Sequence, residues 1–203
     1  TNGASDHAGA LSAGDARIVL FPVRSLAGVF AYTTSALALA RMAREIGSSF
    51  PQVALEESDA LITQQSDLKA GGRVVLEEFS FDAKSSPEVT DVAKWLADHA
   101  FPAEDSYAYW RSKVMSSLIV LPENAFRDFT VNATEIRTHV RLDPAKKTVA
   151  EGALWTTESL PSDVLMYSPV TFRGARKAND NRSASALATL TKDSVGARIQ
   201  IGG

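Results

Sequence analysis

Residues Glu135 to Leu142 alternate without a break between two kinds of side chain. Ile136, Thr138, Val140 and Leu142 take one parity, and Glu135, Arg137, His139 and Arg141 take the other. A period of two belongs to a β-strand; a helix would scatter both sets around its circumference. One side of this strand is therefore largely apolar, and the other carries two guanidiniums and an imidazole. Asp143-Pro144 starts a turn, and Lys146-Lys147 follow it. Thr148-Val149 and Ala153-Leu154-Trp155 then supply a return strand. The expected unit is a hairpin with a locally basic face, on a chain whose formal net charge is −3.

The other segments mix strand and helix signals. Arg17-Ile18-Val19-Leu20-Phe21 is a β-rich run stopped by Pro22, and Val29 to Thr33 is a second. Thr34 or Ser35 caps a helix running to Ile46, with Leu39, Met42, Ala43 and Ile46 on one face and Gly47 at its end. Residues 48–72 are polar and weakly periodic, which reads as loop and insertion. Arg73 to Leu76 lead a strand reaching Phe81, with Glu77-Glu78 inside it. Ser86-Pro87-Glu88 is a helix start, and Val89, Val92, Ala93 and Leu96 form its apolar stripe. Tyr107, Trp110, Arg111, Val114 and Met115 mark another helix, and Ser117 to Leu121 a buried strand stopped by Pro122. Val164 to Tyr167 and Val170 to Phe172 are strand material, residues 173–183 a polar basic loop, Ser185 to Leu190 a helix and Ala197 to Ile201 a last strand. Strands and helices in this mixture, with hairpin signals, favour an α+β fold with a partly antiparallel sheet.

A chain of 203 residues, 45% of them hydrophobic, is enough for one real core. Lys and Arg number 21 against 24 Asp and Glu, which excludes a uniformly basic nucleic-acid glove but not a local basic stripe. No cysteine is present, so disulfides, thiolate metal sites and thiol nucleophiles are excluded. A reducing, cytoplasmic location is compatible with that. The apolar runs are too short to cross a bilayer, so no membrane partner is expected. Walker and Gly-x-Gly-x-x-Gly loops are absent, as is a Gly-x-Ser-x-Gly elbow.

Four sets of residues are left as candidates for chemistry. His7, His99 and His139 have no metal-ligand spacing, so no metal site is assigned. His139 shares a strand face with Arg137 and Arg141, a combination that suits a phosphodiester; a solvated strand face fits the spacing equally well. Arg24-Ser25 sits in a short link between strands, where a guanidinium and a hydroxyl can grip a phosphate. An arginine paired to a helix end is the competing reading there. Glu158, in Thr156-Thr157-Glu158-Ser159, is a candidate acid or metal ligand, with an exposed loop carboxylate the plainer reading; Glu77-Glu78 is a weaker metal candidate, because neighbours on a strand point to opposite faces and solvation or an ion pair fits better.

Several blocks together resemble a known family. They are Asp6-His7-Ala8-Gly9-Ala10-Leu11-Ser12, Gly14-Asp15-Ala16-Arg17, Leu20-Phe21-Pro22-Val23-Arg24-Ser25-Leu26 with Gly28, and Leu76-Glu77-Glu78-Phe79. Phe126-Arg127-Asp128, Thr134-Glu135-Ile136, Gly152-Ala153-Leu154-Trp155, Leu160-Pro161 and Ile199-Gln200-Ile201-Gly202-Gly203 continue the series. In this order they resemble the Cmr-type RAMP backbone subunit of type III-B CRISPR effector complexes. The Phe-Pro-Val-Arg-Ser and Gly-Ala-Leu-Trp blocks are the specific ones.

The resemblance implies a ferredoxin-like (RRM-like) RAMP core with insertions and a β-hairpin thumb. A single RAMP domain would span residues 1–203, with the thumb hairpin and return strands at 134–172 and mobile insertions at 48–72 and 173–184. It implies a role in antiviral defence, with guide CRISPR RNA, target RNA, further copies of the chain and other Cmr-complex subunits, the small accessory subunit included, as partners. The thumb would wedge into the guide–target duplex, and target RNA would be cut at each interruption with Mg²⁺. The RNA-binding residues carried over or read from the hairpin are Arg24, Ser25, Arg137, His139, Arg141, Lys146, Lys147, Gly202 and Gly203.

The family's main acidic residue is expected upstream of Thr1. The absent initiator Met and the closing Ile-Gln-Ile-Gly-Gly are read as the ends of a piece truncated on both sides, itself non-catalytic, binding no metal and prone to self-association. Two departures matter. Ala27 stands where relatives commonly have Lys, and Thr156-Thr157-Glu158 where they often have an aromatic and two acids. The alternative is a purely structural scaffold whose copies pack together without touching RNA.

Overall fold

The short β-rich runs converge on one six-stranded sheet. The structure is a computed structural model and describes residues 8–47, 50, 51, 53, 60–142, 146, 149–177 and 179–195. The chain divides into two compact units, residues 18–166 and residues 1–17 with 167–203.

The larger unit starts in β2 (Arg17–Arg24), which turns back antiparallel into β3 (Phe30–Ser35). α1 (Ala36–Ile46) follows directly, its first turn capped by Ser35, whose Oγ accepts from the Ala38 N–H at 3.2 Å. Leu39, Met42 and Ala43 are its buried face, as the 3.6-residue period requires. Then come β4 (Ala60–Ile62), β5 (Lys69–Ala70), β6 (Arg73–Leu76), β7 (Phe79–Phe81) and β8 (Ala83–Ser85). α2 (Pro87–His99) and α3 (Ala108–Ser117) lead into β9 (Leu118–Leu121). α4 (Glu123–Asn132), β10 (Glu135–Leu142), β11 (Val149–Ser159) and β12 (Leu165–Tyr167) complete the set.

The strand order in the main sheet is β12-β2-β3-β9-β4-β8. β3 and β9 run parallel, paired from Tyr32–Leu118 to Ser35–Leu121. All four residues of β9 are buried, because a central strand covered on both faces needs no polar side. Phe21, Val23, Ile62, Leu76, Ile119 and Leu121 meet in one core cluster.

Two expectations are corrected here, and one helix is new. Residues 48–72 are not simply an insertion, because Ala60 and Ile62 are buried in β4, an inner strand between β9 and β8. Three residues are too few to print an alternation. Glu77-Glu78 do not lie within a strand: Glu77 has φ 48° and the pair makes the turn between β6 and β7. α4 has one buried residue, Phe129, so its apolar stripe is too thin to read from periodicity.

In the smaller unit, β1 (Leu11–Ala13) pairs antiparallel with β13 (Val170–Phe172). α5 (Ala184–Val195) begins at Ser183, whose Oγ accepts from the Ala186 N–H. Within the 173–183 loop the Asp180 carboxylate takes a forked pair of contacts from Arg182, at 2.9 and 2.6 Å. The expected strand at 197–201 lies outside the described residues.

Replacing Ser86, whose Oγ accepts from the Val89 N–H at 3.2 Å, should remove the cap of α2. Ser86→Ala is expected to destabilise by about 1 kcal/mol in urea titration. The Arg182 guanidinium holds the Asp180 carboxyl down at about 2. A depressed native value means the contribution is present above the ordinary carboxylate range and lost as pH falls through about 2. Carboxyl-carbon NMR titration should show that midpoint, and Arg182→Ala should return it to the usual carboxylate range.

Candidate nucleic-acid interface

β10 and β11 form the expected hairpin. The register pairs Glu135 with Ser159, Arg137 with Thr157 and His139 with Trp155, which puts these six side chains on one face. Ile136, Thr138 and Val140 face out on the other side, opposite Glu158, Thr156 and Leu154. The register shifts between Val140 and Leu142, and Arg141 stands exposed at that irregularity. Lys146 is exposed in the connection. Lys147, Gly202, Gly203 and the turn at Asp143-Pro144 lie outside the described residues.

The hairpin's apolar side does not pack onto the chain. Ile136 is 70% exposed, Leu154 64% and Val140 51%. A strand face of this composition normally seeks cover, so its exposure marks a surface made for something else. The polar face is organised by local contacts. His139 stacks on Trp155 with ring centroids 5.4 Å apart and planes 13° apart, and its Nε2 lies 2.8 Å from the Thr157 hydroxyl. Arg137 pairs with Glu135 at 2.7 Å. Trp155 and Thr157 are parts of this face that composition did not single out; their cross-strand partners follow only once the register is known.

Glu158 accepts a 2.6 Å hydrogen bond from Thr134 and stands on the face opposite His139. An acid and an imidazole on opposite sides of a ribbon cannot act on one bond. Among the described residues no three His, Asp or Glu side chains gather where they could hold a metal.

The Arg24-Ser25 link is built differently from a phosphate grip. Ser25 is buried, its Oγ donates to the Val75 carbonyl at 3.3 Å, and its backbone forms a bridge with Leu76. The hydroxyl is therefore turned into the protein, which corrects its place among RNA-binding candidates. Arg24 is exposed, and its Nη2 meets Glu77 at 2.6 Å, a turn carboxylate rather than a helix end. Beyond it, Gly28 has φ +72° and Val29 φ 72°, a conformation a β-branched residue rarely takes. A Cβ on Gly28 would sit 2.7 Å from an Asp67 carboxylate oxygen. Lys113, buried in α3, donates to the Gly28 carbonyl at 2.6 Å and lies 4.9 Å from the Phe30 ring centroid. The loop is thus braced from below while Leu26 and Val29 point into solvent. No spacing signal marks Lys113, because its role depends on a contact 85 residues away.

A profile of the RAMP superfamily matches residues 3–203. The chain is 34% identical over 208 aligned residues to the CRISPR system Cmr endoribonuclease Cmr4 of Pyrococcus furiosus, covering 100% of this chain and 68% of that protein. The crystal structure of oligomeric Cmr4 from Pyrococcus furiosus superposes with a TM-score of 0.68 at 29% identity, over 97% of this chain and 68% of that one. A type III-B Cmr-beta structure in the apo state shares the fold, with a TM-score of 0.61 at 17% identity over 93% of this chain.

Ser25→Ala should lower stability by about 1 kcal/mol in urea titration, the worth of one internal hydrogen bond. The same variant should retain RNA in filter binding as well as the parent chain does. A drop in retention without loss of stability would return Ser25 to the binding set.

Proposed function

Because this chain belongs to the RAMP superfamily, we propose that it is a guide-RNA-binding backbone subunit of a type III-B CRISPR ribonucleoprotein. The observation that carries this reading is the β10–β11 hairpin, wet on both faces, with Arg137, His139 and Arg141 along one strand. Guanidinium contacts to phosphate position a strand without reading its sequence, which suits a machine whose specificity comes from base pairing. Ile136, Val140 and Leu154 supply apolar bulk for separating stacked bases, a step that costs a few kcal/mol. On this reading the hairpin is the thumb, and the main sheet with its helices is the ferredoxin-like core. Other copies and other Cmr subunits are the protein partners.

Target cleavage, the activity the name of the Pyrococcus furiosus relative carries, is not assigned to these 203 residues. Mg²⁺ would be its metal; among the described residues no three His, Asp or Glu side chains gather where they could hold that ion. No described helix is long and apolar enough to cross a membrane.

The scaffold alternative draws on one specific observation. Arg137 is already paired with Glu135, and the exposed aliphatic face is also suited to protein contact. Salt titration separates the two. On single-stranded RNA, Arg137→Ala and Arg141→Ala should each flatten the plot of log K against log salt by about 0.7. Slopes that stay put in both variants would favour the scaffold. Incubated with Mg²⁺ and single-stranded RNA, the chain should leave the RNA whole on a denaturing gel. Discrete products from pure protein would overturn the placement of the chemistry.

A further inference from the structure

Away from the hairpin, a cavity of about 230 Å³ opens among Tyr32, Phe101, Tyr107, Trp110, Pro102 and Asp163. Four of its nine lining residues are aromatic, and the three not named above are aliphatic. The walls are fixed by contacts behind them. Tyr32, 1% exposed, meets the edge of Phe30 at 5.1 Å between centroids. Trp110 is held by Phe30 at 6.4 Å and by Tyr109 at 5.3 Å, the latter nearly perpendicular at 84°. Arg111 donates to the carbonyls of Pro102 and Glu104, which ties the 101–104 loop to α3 and sets the cavity's lip.

Asp163 has a left-handed backbone, φ 70°, a conformation aspartate tolerates better than most residues. Among the described residues, neither its carboxylate nor the Tyr32 hydroxyl has a hydrogen-bond or ion-pair partner. Burial first, then the Asp163 charge, push the Tyr32 hydroxyl well above the ordinary phenol range, so it stays a neutral donor.

Ring faces carry negative potential, and one unpaired carboxylate adds to it. A phosphate would be repelled. Asp163 is exposed at the cavity's edge, and a purely apolar guest would leave its carboxylate without a partner. The volume is below the roughly 300–1,000 Å³ of small-molecule sites, and it suits a single side chain. A guanidinium fits best, because it stacks flat on aromatic faces, pairs with a carboxylate through its fork and is less strongly hydrated than an ammonium.

We propose that this cavity is a receptor for one arginine side chain presented by a partner protein. Arginine seated in an aromatic pocket is the kind of central anchor that dominates interface energetics. The inference stands on the cavity alone and does not require the hairpin to bind RNA.

The experiment is a titration of the ¹⁵N-labelled 203-residue chain, reading the Trp110 indole N–H, assigned with Trp110→Phe. The probes are N-acetyl-arginine amide, N-acetyl-lysine amide and guanosine monophosphate. The arginine compound should shift the indole resonance saturably, and the lysine compound should bind more weakly. Asp163→Asn should weaken the arginine compound by about tenfold or more, the worth of one charge-assisted contact. Asp163→Glu, which keeps the charge, should retain binding, and far-UV circular dichroism should be unchanged in both. No saturable shift, equal affinity in Asp163→Asn, equal binding of the lysine compound, or tighter binding of guanosine monophosphate would each overturn the assignment.

Discussion

The parallel pairing of Phe30–Ser35 with Leu118–Leu121 is the constraint on which both exposed surfaces depend. It joins a strand near the start of the larger unit to one 86 residues downstream, Tyr32 facing Leu118. The braced loop at Leu26–Val29 enters it directly, α4 leaves it after Pro122, and the hairpin follows α4. Each fully buried aliphatic of β9 stabilises by roughly 1.5–3 kcal/mol, so four in a row fix the position of everything attached. A loop or ribbon hung on a shifting strand could not hold its geometry.

Charge is arranged in a way that suits exchange. Arg24 pairs with Glu77 and Arg137 with Glu135, and both arginines are largely exposed. Exposed ion pairs of this kind contribute about 0–1 kcal/mol. A phosphate can therefore take either guanidinium from its carboxylate at little cost. The acid neighbour meanwhile lowers the positive potential around each guanidinium. A net charge of −3 on the whole chain works in the same direction.

How much of this could be read in advance depends on the distance over which each feature is encoded. The hairpin is written locally: eight residues of unbroken alternation fix a strand, its two faces and the need for a return. Ser35 and Ser86 as caps and Leu118–Leu121 as a buried strand are local too. β4 was hidden because three residues carry no period, and its burial comes from neighbours β9 and β8. Ser25 was misplaced for a related reason: Arg-Ser in a link looks like an anion grip until a distant strand, at Val75 and Leu76, claims the serine. Lys113 and the Tyr32–Trp110–Asp163 pocket are assembled from segments far apart in the chain, and nothing short of the fold brings them together. The resemblance to the RAMP family came from ordered blocks rather than from any one of these physical signals.

A ribbon of two strands with water on both sides has little to hold it flat. Isolated hairpins are marginally stable, and regions with few buried contacts open far more often than the core does. The amide protons of Glu135 to Val140 should accordingly trade with solvent long before those of Leu118 to Leu121. Whatever the ribbon grips must also stiffen it, so part of the gross attraction goes into lost backbone entropy. Association through it will be looser, quicker to reverse and more sensitive to temperature than its contact area alone would suggest.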